Sequence, residues 1–130
     1  MIYLDTSAAL KAIIDEPETA AVRRLFADGT SFVASRLLDV ELHAVSDRRG
    51  IDRARVADLV AHVALVSLDD ETADAAIALH SGLRTLDALH LATAFALSDT
   101  VTEVLTFDRE LADAFRAQGF ALHAACAQVR

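Results

Sequence analysis

The chain has 130 residues, 54% of them hydrophobic, with 20 acids against 12 bases, a formal net charge of −8 and one cysteine, Cys126. That length and apolar fraction suit a single domain, residues 1–130, with a core of its own. One cysteine excludes an intrachain disulfide, so a reducing, cytoplasmic setting is expected; so acidic a chain, with Lys11 its one lysine, is poorly suited to non-specific nucleic-acid binding by phosphate neutralisation.

From the N-terminus, Ile2–Leu4 is a short apolar run that reads as a strand, and Asp5 ends it ahead of a helical stretch over Ser7–Ile14. Pro17 and Glu18 open a second helix reaching Phe26, and Gly29 stands where it should stop. Ser31–Ala34 predicts the next strand, followed by an amphipathic helix over Leu37–Arg48 and, past Gly50, another over Asp52–Ala61. A strand over Val63–Val66 leads to Asp69-Asp70-Glu71, acids suited to a helix start, and a helix through Leu79. The Ala- and Leu-rich stretch Leu86–Leu97 predicts a helix that can bury most of its surface. A strand over Glu103–Thr106, a helix over Arg109–Gln118 and a short strand Phe120–Leu122 follow. The longest nearly apolar stretch, 56–68, is interrupted by Asp58 and His62 and is too short to span a bilayer, so no membrane association is expected.

Strands and helices alternate, and the strands are unbroken apolar runs, the pattern of a parallel sheet covered on both faces; the expected class is α/β. Ligands of such sheets bind beyond the carboxyl ends of the strands, near the point where strand order reverses. Asp5 and Asp108 both follow strands at that edge, and if the first and fourth strands are neighbours both carboxylates can face one cation. Each is equally well placed to cap the helix behind it.

Glu41 stacks one turn from both Leu37 and Val45, with Leu38 and Ala44 flanking, so its carboxylate points with an apolar stripe; Asp39, about 200° away around the helix, reads as the solvated acid. An ionised carboxylate directed inward needs a metal or a partner, for which Arg36 and Arg48 are candidates. Asp87 opens the Ala- and Leu-rich helix, where it either serves a site or sits favourably in the first turn behind a Thr85 cap. His43 and His90 lie near Glu41 and Asp87, but a zinc site needs a closed His and Cys set, and packing or support of neighbouring groups is the expected role. Arg48, Arg49, Arg53 and Arg55 around Gly50 suit either RNA phosphates, an acidic partner or a solvated face.

Several carboxylates in one pocket repel one another unless a cation is present, and Mg²⁺ or Mn²⁺ takes such oxygen ligands while keeping several waters. The segments Ile2-Tyr3-Leu4-Asp5-Thr6-Ser7-Ala8, Ser35-Arg36-Leu37-Leu38-Asp39-Val40-Glu41-Leu42, Leu83 to Ala92 and Leu105-Thr106-Phe107-Asp108-Arg109-Glu110-Leu111 together resemble those of PIN-domain ribonucleases, specifically the VapC toxins of type II toxin–antitoxin systems. The resemblance implies a three-layer α/β/α fold around a twisted parallel sheet of four to five strands. It also implies an Mg²⁺- or Mn²⁺-dependent endoribonuclease acting on RNA, homodimerisation, and a cognate antitoxin covering the active site. Carried over by position, Asp5, Glu41, Asp87 and Asp108 match the acidic quartet, with Asp5, Asp87 and Asp108 as metal ligands and Thr6, Ser7 and Thr106 as hydroxyls that position the site. Two other classes compete: a receiver or phosphohydrolase, which would want a further Asp and a lysine for the phosphoryl group, and a non-enzymatic binding module whose acids are caps.

Overall fold

The computed structural model describes residues 1–126. In chain order the elements are β1 (Ile2–Leu4), α1 (Thr6–Ile13), α2 (Thr19–Ala27), β2 (Phe32–Ser35), α3 (Arg36–Arg49), α4 (Arg53–Val60), β3 (Val63–Val66), α5 (Asp70–Ala78), α6 (Thr85–Ala96), β4 (Glu103–Leu105), α7 (Arg109–Ala117) and β5 (Ala121–Leu122). Every expected element is present with boundaries displaced by a residue or two, mostly where a strand gives way directly to a helix cap. Ser35, for example, closes β2 and caps α3 by accepting from Leu37 N–H at 3.1 Å, and so lies one residue beyond the expected strand end.

All strand pairs are parallel, in the order β3-β2-β1-β4-β5. Successive side chains on a strand point to opposite faces, and here both faces are covered. Ile2, Leu4, Phe32, Ala34 and Leu105 join a core with Ala9 and Ile13 of α1, Val22 of α2, Leu38 and Leu42 of α3 and Val56 of α4. Tyr3, Val33 and Val104 point the other way, onto Leu91 and Ala94 of α6 and Leu111 and Phe115 of α7. Each fully buried leucine or phenylalanine in these layers contributes about 1.5–3 kcal/mol by leaving water, which is why short strands suffice.

The chain runs outward from β1 through β2 to β3, then returns to place β4 on the other side of β1. Leu4 is paired with Leu105, so the strand ends that carry Asp5 and Thr106 lie side by side at the point where strand direction of travel reverses. Gly50 supplies the left-handed conformation (φ +67°) that ends α3 and turns the chain into α4. No helix among the described residues is long and apolar enough to cross a membrane.

Four local expectations are corrected. α6 is entered through Arg84, with no side-chain cap, so Thr85 does not have that role. The most buried row of α3 is Leu38, Leu42 and Ser46, and Ala44 is exposed, so the stripe carrying Glu41 faces a cleft rather than the core. Asp39 is partly buried, paired with His43 at 3.0 Å and Arg36 at 3.5 Å, because the helix edge it occupies packs those side chains over it. The arginines near Gly50 disperse: Arg53 pairs with Asp47 at 3.4 Å and Arg55 donates to the Ile13 carbonyl at 2.7 Å, while Arg48 turns toward the acids.

Candidate active site

Asp5, Glu41, Asp87 and Asp108 line one cavity of about 350 Å³, with Thr6, Ser7 and Arg48. Asp5 comes from the end of β1, Glu41 from the middle of α3, Asp87 from the first turn of α6 and Asp108 from the entry to α7. Four elements distant in sequence converge because β1 and β4 are neighbours and α3 and α6 pack against opposite sides of that strand edge.

Two of the acids are also helix caps. Asp5 Oδ2 accepts from Ser7 N–H at 3.3 Å and from the hydroxyls of Ser7 at 2.6 Å and Thr106 at 2.9 Å. Asp108 Oδ1 accepts from Leu111 N–H at 2.9 Å. A carboxylate has two oxygens, so capping by one is compatible with a site role for the other. Glu41 follows the same plan: its Oε1 accepts from Thr6 Oγ1 at 2.7 Å and is 2.7 Å from His90 Nε2. Neither Arg36 nor Arg48 is its hydrogen-bonding partner. Thr106 ties two acids together, donating to Asp5 while accepting from Asp108 N–H at 3.2 Å, and Ser7 accepts from Phe107 N–H at 2.9 Å.

His90 takes the supporting role expected of it. It is fully buried; Nδ1 lies 2.8 Å from the Tyr3 hydroxyl, and Nε2 faces Glu41, Thr6 at 3.4 Å and Asp5 at 3.9 Å. A carboxylate only accepts, so the proton between His90 and Glu41 resides on Nε2 in either charge state of the ring. The available signal was a histidine one turn from Asp87 in an otherwise apolar helix. His43, by contrast, pairs with Asp39.

Burial is the largest influence on Asp87 and, with the charges of Asp108, Asp5 and Glu41, pushes its pKa from 3.8 up to about 6 against the opposing pull of His90. Burial disfavours charge on His90, but the Glu41 hydrogen bond and the charges of Asp5, Glu41 and Asp87 outweigh it and raise the pKa above the ordinary histidine value. Burial likewise raises Tyr3 and keeps the phenol protonated. A carboxyl held above its ordinary pKa beside three other acids marks a site short of positive charge.

That donor set fits a hard divalent ion. It consists of carboxylate oxygens in an open cavity, each of three acids having one oxygen fixed and one remaining. Among the described residues no three His, Cys, Asp or Glu side chains form a ready-made cage, so an ion that retains several waters suits the pocket better than closed coordination. Asp69 accepts from Thr72 N–H at 3.0 Å and caps α5, as its helix-start position suggested. Lys11 is engaged by Glu16, which removes the one lysine a phosphoryl-binding reading requires.

A family model described as the PIN domain matches residues 2–116. The chain is 37% identical over 123 residues to Ribonuclease VapC46 of Mycobacterium tuberculosis (strain ATCC 25618 / H37Rv), covering 93% of this chain and 95% of that protein. It is 35% identical over 129 residues to Ribonuclease VapC47 of Mycobacterium tuberculosis (strain CDC 1551 / Oshkosh), covering 92% and 93%. Among solved structures, a toxin–antitoxin complex from Klebsiella pneumoniae superposes with a TM-score of 0.71 at 17% identity, over 95% of this chain and 97% of that one. Mycobacterium tuberculosis VapC20, a sarcin-ricin loop cleaving toxin, gives 0.69 at 20% identity, over 93% and 97%. The structural neighbours share the fold, and the sequence relatives match over nearly their whole length: the chain belongs to the PIN-domain family, in its VapC ribonuclease branch.

Proposed function

We propose that the chain is the toxin of a type II toxin–antitoxin pair and an endoribonuclease that hydrolyses RNA phosphodiester bonds with Mg²⁺ or Mn²⁺. The observation that carries the proposal is the shared plan of three acids: Asp5, Glu41 and Asp108 each fix one carboxylate oxygen by hydrogen bonds within the protein, while all four acids line one cavity. Asp5, Asp87 and Asp108 are assigned to hold the ion and Glu41 to orient a water or a ligand. When bound, the ion supplies Lewis-acid polarisation of the phosphodiester and acidification of an attacking water.

The protein's own contribution is preorganisation. Ser7 and Thr106 fix the rotation of Asp5, and the Leu111 amide fixes Asp108. Thr6 and His90 fix Glu41, so these acids need little rearrangement when the substrate arrives. Relatives named ribonucleases at 33–37% identity support the activity, and a structural neighbour taken from a toxin–antitoxin complex supports a protein antitoxin as partner. Homodimerisation is proposed from the family resemblance and is tested by sedimentation.

Purified protein should cleave RNA with Mg²⁺ or Mn²⁺, and both EDTA and Asp5→Asn should abolish cleavage. Equal cleavage in all three conditions would sink the proposal. Expression alone should arrest growth, relieved by a co-expressed antitoxin; arrest unchanged in Asp5→Asn would count against nuclease action as its cause.

A further inference from the structure

We propose that the acidic cavity is the middle of a longer track for single-stranded RNA, with Arg48 binding a backbone phosphate on one side of the cleaved bond and Arg84 with Arg109 binding phosphate on the other. This deepens the ribonuclease reading above and rests on it.

The acid cavity is one of two hollows that share a wall. Asp87 and Asp108 line both the cavity holding Arg48 and an adjoining one, of about 280 Å³, holding Arg84, Arg109 and the carboxylate of Glu110. Arg48 sits seven residues past Glu41 on α3, about 10 Å along the helix axis. Arg84 stands at the entry to α6 three residues before Asp87, and Arg109 directly follows Asp108. Arg48 on the one hand and Arg84 with Arg109 on the other thus line different hollows that share Asp87 and Asp108.

None of the three is committed elsewhere. Among the described residues, ion pairs engage Lys11, Arg23, Arg36, Arg53 and Arg116, while Arg48, Arg84 and Arg109 are exposed and make no ion pair or hydrogen bond. In a chain of net charge −8, that leaves free arginines beside a carboxylate cluster. The protein's overall field repels RNA, so a strand is held only by local cations, and a planar guanidinium matches phosphate oxygens with two parallel hydrogen bonds. A strand carries one phosphate per nucleotide. A strand with one phosphate at the acids has a neighbouring phosphate on each side, and each of the two hollows offers arginine to one of them.

The test uses short single-stranded RNA carrying the mapped cleavage site, with a neutral methylphosphonate replacing the phosphate on either flank. Arg48→Ala and the pair Arg84→Ala/Arg109→Ala should each raise KM about tenfold with little change in kcat, as loss of a charged hydrogen bond does. Neutralising one flank should erase the Arg48→Ala penalty and leave that of the pair; neutralising the other should do the reverse. Binding of a fluorescent 12-mer RNA in Ca²⁺, followed by anisotropy, gives a readout independent of cleavage. There the slope of log affinity against log salt should fall by about 0.7 per arginine removed. Wild-type affinity and slope in these variants would overturn the track. So would penalties indifferent to which flank is neutral, or loss of antitoxin binding with RNA binding intact. Arginine-dependent RNA binding without cutting would support the track and refute the nuclease reading alone.

Discussion

Tyr3→Phe removes one oxygen from the middle of the molecule and should be felt at the acid site. The Tyr3 ring is fully buried, packed 5.9 Å from Phe115, and phenylalanine preserves that contact. What disappears is the hydroxyl that accepts from Ser35 N–H at 3.3 Å and meets His90 Nδ1 at 2.8 Å. Both groups are buried, and each stranded polar group costs about 1–3 kcal/mol, partly offset because a phenol hydroxyl no longer has to leave water. A net loss of roughly 2–3 kcal/mol follows, which in a chain of this size lowers Tm by about 10 °C. Because His90 in turn holds Glu41, the acid assigned to orient a water or a ligand at the ion, Mn²⁺ affinity measured by calorimetry should fall as well, by about tenfold, the scale of losing outer support around a metal site. The double variant Tyr3→Phe/His90→Leu should be at least about 1 kcal/mol more stable than the sum of the singles predicts, since both break the same bond. Strict additivity together with wild-type Mn²⁺ affinity would refute the coupling.

The Asp87 carboxyl gives a pH test. Its pKa rises from 3.8 to about 6 on folding, so the folded state holds the proton more tightly; the stabilisation this group contributes is complete below about pH 3.8 and is lost as pH rises through 6. In EDTA, Asp87→Asn should therefore match wild type near pH 4 and exceed it in Tm at pH 7.5, and saturating Mn²⁺ should close that gap by stabilising only the wild type; a pH-independent difference would refute the assignment. Thr106→Val, nearly isosteric, removes the hydroxyl joining Asp5 to Asp108, and should cost about 1–2 kcal/mol in denaturant titration and weaken Mn²⁺ binding. Unchanged Mn²⁺ affinity would mean that these acids do not share an ion.

Periodicity revealed the fold class because the central strands β1 and β2 are buried on both faces, and a half-exposed strand would alternate apolar with polar residues where Ile2–Leu4 does not. Strand order is another matter. That β1 lies beside β4 is fixed by how α6 and α7 cover one face of the sheet, a long-range packing result with no local signature. Glu41 was legible as an inward acid, but its partner His90 lies 49 positions away, so local arginines were the visible candidates. Asp5 and Asp108 seemed to pose a choice between cap and site because a residue letter conceals that a carboxylate has two oxygens. The arginines near Gly50 looked like one patch because they are close in sequence, yet Arg55 reaches the Ile13 carbonyl while Arg48 lines the acid cavity.

The side-by-side placement of β1 and β4 bears on how the protein comes into being. Asp5 is bonded to Thr106, 101 positions later, and β4 is added to the sheet only after the β1 to β3 half has been made. A chain still emerging from the ribosome holds Asp5 and Glu41 long before it holds Asp108, so it cannot assemble the pocket, and closing so long a loop is a late event in folding. On the site proposed above, a nascent chain that still lacks Asp108 should leave RNA uncut, its own message included. Activity should switch on with completion of the fold and vanish with any opening that separates these two strands, which makes loss of structure and loss of toxicity a single event.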